Sequence, residues 1–364
     1  MTTDTYLIED ISTLVSCESP SGDTDAVERC AAEVESIARR RIGADASRHV
    51  VDGRVHLRWG FGTPRVVLLG HMDTVWPVGT LARWPFSIDG DRMTGPGVFD
   101  MKAGLVQAFA ALQQQDDLDG VTVLVTSDEE VGSTTSQTLI EDTCRGARAV
   151  LVLEPSADGA LKIARKGVGM FTVDVTGRAA HAGLEPHNGI NASVEAAHQV
   201  LTIAGIARPE VGTTVTPTVI SSGTTVNTVP AEARISVDVR AETTAEMRRV
   251  EESLHSLTPH LAGAAVKAVA VSVRQPLERK MSEELYARAQ RHAAALGLPS
   301  LEGVSVGGGS DGNITAAMGV PTLDGLGAVG ANAHAEGEWA SVAALGQRTA
   351  LVAALIRELL KETA

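Results

Sequence analysis

The chain has 364 residues, 44% of them hydrophobic, which is enough apolar material for a large core and enough length for two domains. Its formal net charge of −14 disfavours nucleic acid and anionic membranes as partners. Three cysteines without paired spacing (Cys17, Cys30, Cys144), a polar acidic start with no signal-peptide pattern, and no run of about 18 apolar residues predict a cytoplasmic protein with reduced thiols and no membrane span.

In chain order, residues 7–17 and 24–41 pattern as helices. The apolar run over 65–70 reads as a buried strand. Residues 101–115 form a helix with Asp100 near its start. A second buried strand covers 121–126 and a third covers 149–153, where Glu154-Pro155 stops it. Continuous apolar runs between helices imply an α/β fold, with a central, mostly parallel sheet covered by helices on both faces.

From Phe171 the pattern changes to alternation, which gives a strand with one wet face. A helix over 189–204 follows. Strands over 213–221 and 232–240 come next, with Asn227 in the turn region between them, then an amphipathic helix over 244–257 and a strand over 265–273. The order β-α-β-β-α-β is the ferredoxin-like pattern. It predicts a small domain, 167–274, inserted into a discontinuous catalytic domain made of 1–166 and 275–364. The remainder reads as a helix over 282–297, a glycine-rich stretch over 307–312 before another helix, loop or strand over 323–330, and a final amphipathic helix over 340–362.

The residues able to do chemistry fall just beyond strand ends, where open α/β sheets bind ligands. The first strand runs into Gly70-His71-Met72-Asp73, the second into Asp128-Glu129-Glu130, and the third into Glu154. Asp100 lies between the first two, and His334 adds a second imidazole near the C-terminus. Singly, each has a plainer role. His71 and His334 would be ordinary core or loop histidines, and Asp73 a loop acid. Asp100 would be a helix N-cap, Glu129-Glu130 a solvated turn, and Glu154 a strand terminator. Their shared placement favours a metal site: imidazoles with carboxylates suit Zn²⁺, and Co²⁺ or Mn²⁺ take the same donors.

A two-metal site accounts for the number of acids. Two divalent ions carry four positive charges, and Asp100, Glu130 and Glu154 leave about one, which a bridging hydroxide would neutralise, because the metals lower the pKa of water toward about 7. Asp100 could bridge the ions, with His71 and either Glu130 or Glu154 on one side or the other. Asp73 is placed to accept the other N–H of the His71 ring and fix its tautomer. Glu129 would take the proton from the attacking water and pass it to the leaving group.

These segments resemble a known family. His71-Met72-Asp73-Thr74-Val75-Trp76-Pro77 is similar to the first metal motif of the M20 metallopeptidases, and Gly95-Pro96-Gly97-Val98-Phe99-Asp100-Met101-Lys102-Ala103-Gly104 to the second. Ser127-Asp128-Glu129-Glu130-Val131-Gly132-Ser133 is similar to the third motif and Leu153-Glu154-Pro155 to the fourth. The likeness runs from about residue 60 to the C-terminus and is strongest to the glutamate carboxypeptidase branch.

The resemblance implies two Zn²⁺ per chain held by His71, Asp100 as the bridge, Glu130, Glu154 and His334. Asp73 would orient His71, and Glu129 would be the general base and acid. The inserted domain would act as a lid and as the contact of a homodimer. His181, in Ala179-Ala180-His181-Ala182-Gly183, matches a lid histidine that stabilises the oxyanion, often across the dimer; Asn227 and Arg240 match lid residues that bind the substrate carboxylate. A wet-face arginine is usually just solvated, but a planar fork at a strand end can grip a carboxylate. The loop at Gly309-Ser310-Asp311 lacks the lysine and spacing of a phosphate-binding loop, and the resemblance places it along the substrate pocket.

The expected activity is hydrolysis of an amide to an amino acid with a free carboxylate, foremost release of C-terminal glutamate from an N-acyl or peptidyl group. Arg165-Lys166-Gly167 is as similar to the family's acylases and deacetylases, so an aminoacylase or N-acetyl-amino-acid deacetylase is the alternative. A non-catalytic binding protein on this fold is a remote third reading, and it requires a missing ligand or base.

Overall fold

The computed structural model of the protein describes residues 3–362; residues 1, 2, 363 and 364, at the outer ends of the expected catalytic domain, lie outside them. The three apolar runs build the central sheet. Val66–His71 lies between Val121–Thr126 and Ala149–Val152, all parallel, and Thr322–Leu323 adds a further parallel strand beside Ala149–Val152. On the other side Arg54–Gly60 pairs antiparallel with Val121–Thr126, and Ser47–Val51 completes that edge.

The runs lack alternation because both faces are buried. Leu68, Val123 and Leu151 face one core with Leu7, Ile11, Val34, Phe109 and Leu355. These come from the helices Thr3–Val15, Thr24–Ile42, Ala103–Leu112 and Val342–Lys361. The intervening residues Val67, Leu69, Leu124 and Val150 face a second core with Ile140 and Ile314, carried by Gln137–Cys144 and Asp311–Ala317. Each such side chain contributes about 1.5–3 kcal/mol by burial. A one-residue slip would exchange the two cores, so the register is fixed, and with it the common edge where the carboxyl ends meet.

The hairpin formed by Ser47–Val51 and Arg54–Gly60 was not anticipated. Its turn is Asp52-Gly53, with φ of 49° and 78°, the left-handed pair that a two-residue hairpin turn needs. The outer strand is mostly exposed and so shows no apolar run.

Arg165–Glu278 together with Val306–Gly309 forms one compact unit, and the rest of the described chain forms the other. The smaller unit has strands Gly167–Thr176, Thr214–Ser222, Glu232–Ala241 and Ala265–Arg274 and helices Ala192–Ala204 and Thr244–His255. The sheet is antiparallel, and its spatial order places Glu232–Ala241 and Gly167–Thr176 at the centre. That is the ferredoxin-like arrangement. Phe171, Val173, Ile235 and Val237 pack under Ala196, Ile203, Met247 and Val250. Among the described residues, no helix is long and apolar enough to cross a membrane.

Candidate metal centre

His71, the Glu129–Val131 turn and Glu154 follow three adjacent parallel strands at their carboxyl ends, which brings them to one rim. Asp100 reaches the same place on an irregular turn, Val98–Lys102. Its own backbone is non-helical (φ −115°, ψ 96°), and the Asp100–Met101 peptide is cis. The expected helix therefore begins only at Ala103, and Asp100 is not its N-cap. His334 has φ of 62°, an uncommon left-handed value for a non-glycine residue, of a kind that clusters at functional sites.

The two oxygens of Asp100 face different partners. Oδ1 is 3.3 Å from His71 Nε2, which is 3.4 Å from Glu154 Oε1. Oδ2 is 3.3 Å from His334 Nε2, which is 3.1 Å from Glu130 Oε2. By distance Glu154 lies nearer His71 and Glu130 nearer His334, and donor atoms of His71, Asp100 and Glu130 also lie within 4.8 Å of one another. Glu129 presents a carboxylate oxygen within 4.8 Å of ligand atoms of both His71 and Glu154.

The His71 ring is buried, and its Nδ1 lies 2.9 Å from the backbone carbonyl of Asp73 but 3.5 Å from the Asp73 carboxylate. The nearest partner of the ring is therefore the Asp73 main chain, where its carboxylate was expected. The Asp73 carboxylate instead accepts from the Ser21 hydroxyl at 2.6 Å and from the amides of Glu129 and Glu130 at 3.3 and 3.2 Å. It orients the acidic pair as well as the histidine.

The charge balance of this rim calls for cations. Burial pulls His71 down, yet the facing carboxylates of Asp100, Asp73 and Glu154 leave it well above the usual imidazole range. His334 is raised to about 10 by Asp100 and Glu130. Burial raises Asp100, and the two imidazoles outweigh it and hold that acid far below the carboxylate range. Burial dominates at Glu130 and raises it.

His71 Nε2 and Asp100 Oδ1 are both buried and make no hydrogen bond, although they face each other. An orphaned imidazole nitrogen beside an orphaned carboxylate oxygen is what ligands to a shared divalent ion look like. The donor set of two imidazoles and three carboxylates fits zinc, cobalt or manganese.

Two nearby residues had no signal in the sequence. Lys162 Nζ is 4.0 Å from Glu154 Oε2 and adds positive charge beside the acids. It lies on the short strand Leu161–Arg165, outside every motif. Glu338 is fully buried and bonds the backbone of the Asp100 turn.

The remaining expected site residues are spread more widely. In the smaller unit, His181 and Thr228 pair across two short strands, and the Ala182 amide donates to the Asn227 carbonyl at 2.9 Å, so His181 and Asn227 are neighbours. His181 Nδ1 accepts from the amides of Gly183 and Leu184, each at 3.1 Å, which puts its proton on Nε2. Arg240 is on the face opposite Val237 and Val239, as the alternation implied, but its Nε and Nη2 already bind the Asp238 carboxylate at 3.1 and 3.0 Å.

Gly309 offers its carbonyl to Arg165 Nη1 at 3.3 Å. Ser310 departs from expectation. It is fully buried, caps the helix Asp311–Ala317, and donates its hydroxyl to Asp324 at 2.6 Å, so its side chain has no surface for a substrate.

A rim of two imidazoles and several acids on an open α/β sheet, with one aspartate facing both imidazoles, defines a metal-dependent hydrolase. The chain belongs to the peptidase family M20/M25/M40, whose pattern matches residues 67–358. It is 30% identical to carboxypeptidase G2 of Pseudomonas sp. (strain RS-16) over 97% of this chain and 89% of that protein. It is 29% identical to acetylornithine deacetylase of Myxococcus xanthus over 56% of each chain. Among solved structures, aminopeptidase PepT from Bacillus cereus superposes with a TM-score of 0.77 over 99% of both chains at 23% identity.

Proposed function

We propose that this enzyme holds two divalent ions, zinc foremost, and hydrolyses an amide bond to an amino acid with a free carboxylate, releasing C-terminal glutamate from an N-acyl or peptidyl group. The observation that carries the two-metal reading is the division of Asp100, with Oδ1 facing His71 and Glu154, and Oδ2 facing His334 and Glu130. When bound, the ions supply Lewis acidity, which lowers the pKa of water and polarises the scissile carbonyl. Glu129 takes the proton from the attacking water and delivers it to the leaving nitrogen. Asp73 holds His71 in one tautomer and fixes the Glu129–Glu130 turn through both amides.

Arg240 is assigned to the substrate carboxylate. Asp238 occupies the Nε–Nη2 edge of its fork, which leaves the Nη1 side to meet a second carboxylate. Asn227 joins it in substrate binding, Gly309 contributes its backbone, and His181 donates Nε2–H to the oxyanion. The likeness to carboxypeptidase G2 supports glutamate as the residue released.

The smaller unit is proposed as a lid and as the contact of a homodimer. Its edge strand Thr214–Ser222 exposes Val219 and Ile220, and the helix Ala192–Ala204 exposes Leu201 at 74%. Unpaired apolar edges of this kind are usually covered by a partner. The acetylornithine deacetylase relative supports the second reading, an N-acetyl-amino-acid deacetylase with the same centre.

A panel of N-acyl amino acids with the zinc-loaded protein separates the two. Peptidyl- and aroyl-glutamates should exceed N-acetyl amino acids in kcat/KM. The reverse order would transfer the assignment to the deacetylase. Uptake below about one metal per chain would overturn the two-metal centre.

A further inference from the structure

Glu338 is among the most completely bonded acids in the described chain. It is fully buried. Its Oε1 accepts from the amides of Phe99 and Asp100 at 2.8 and 2.9 Å, and its Oε2 from the Gly97 amide at 3.0 Å and Trp76 Nε1 at 2.9 Å. The amides of 97, 99 and 100 form a concave nest that would attract any anion. Here the chain's own carboxylate fills it.

The position of Glu338 in sequence gives these bonds their meaning. It lies four residues after His334, at the end of the loop that Gly330–Ala331 and Trp339–Ser341 close by antiparallel pairing. Trp339 also pairs with Thr94, just before the Asp100 turn. One carboxylate therefore grips the main chain that carries Asp100 from within the segment that carries His334. The two side chains it links stand 3.3 Å apart. Neither ligand is on a regular element that could hold it alone, since Asp100 has non-helical dihedrals and His334 is left-handed.

We propose that Glu338 is a positioning residue that locks the Asp100 turn to the His334 loop and so sets the geometry of the His334–Asp100–Glu130 triad. This rests on the two-metal reading. The carboxylate touches no reacting atom; it acts through the backbone of Asp100. A glutamine there keeps the shape but turns an amide N–H₂ toward groups that are all donors.

The test uses the metal-free full-length protein, titrated with Zn²⁺ against a chromogenic chelator and with Co²⁺ by visible absorption. Glu338→Gln should bind one of two zinc ions about ten- to hundredfold more weakly, as loss of groups that orient ligands does, and should alter the Co²⁺ spectrum. Glu338→Asp keeps both acceptors on a shorter arm and should fall between; it carries the test if the glutamine variant does not fold. Glu195→Gln is the control, because Glu195 is equally buried and accepts from the amides of His260 and Leu261 far from these ligands in sequence. It should bind zinc like wild type.

Wild-type affinity and spectrum in the Glu338 variants would overturn the proposal. So would an equal loss in Glu195→Gln, which would reduce the effect to general destabilisation. A wild-type protein that takes up no zinc would overturn the metal reading itself, and the wild-type arm reports that separately from the variant-to-wild-type ratio.

Discussion

Glu129 and Glu130 are neighbours in the chain, yet their carboxylates meet different partners. Glu130 lies against His334, and Glu129 lies near His71 and Glu154. By distance alone Glu129 could serve as a further ligand on the His71 side, and one substitution decides. Glu129→Gln should retain both metals and lose kcat by about a hundredfold or more, as removal of a proton carrier does. Near wild-type turnover would refute its role as base, and loss of one metal with the rate would mark it as a ligand. That His71, Glu130 and Glu154 come together was legible from sequence because strand ends of a parallel sheet share one edge, and Asp100 and His334 join them from irregular segments. Their pairing was not legible, since it depends on which Asp100 oxygen points where. Nor was the burial of Ser310, whose hydroxyl is claimed by Asp324, fourteen residues further on.

At the level of elements, close packing places Glu154. A Cβ built on Gly104 would stand 2.1 Å from the Leu153 carbonyl oxygen, so the helix Ala103–Leu112 touches the chain just before Glu154. Helix propensity alone predicts that Gly104→Ala stabilises, by at most about 1 kcal/mol. Overpacking against rigid backbone costs about 1–3 kcal/mol and displaces Leu153. The second effect should win: urea unfolding of the metal-free variant should show lower stability, and zinc affinity should fall with it. A more stable Gly104→Ala would show that the helix moves off the strand freely. The buried strands were readable because two-sided burial writes an unbroken apolar run. The hairpin at Ser47–Gly60 was missed because its outer strand faces solvent, although Asp52-Gly53 carried the turn signal. The Asp100 turn was misread as a helix start because its amides are satisfied by Glu338, 238 residues away in sequence.

At the level of the whole molecule, the smaller unit constrains how its residues can serve one substrate. Arg240 pairs with Val168 near one end of the strand Gly167–Thr176, while Glu232 pairs with Thr176 at the other, and His181 and Asn227 lie beyond that second end. Eight residue steps along a strand separate the two ends by about 26 Å. An extended two-residue substrate spans about 7 Å. If Arg240 and His181 both contact substrate, as proposed, they must come from different copies of the chain, and a closed two-fold dimer supplies both combinations at once. Glu129→Gln and His181→Ala homodimers should each be nearly inactive. After subunit exchange in an equimolar mixture, half of the dimers are mixed, and each mixed dimer has one site with both an intact Glu129 and a partner's intact His181. Activity should therefore return to about a quarter of wild type. If His181 serves its own chain, each site in the mixed dimer lacks one of the two groups, and mixing restores nothing.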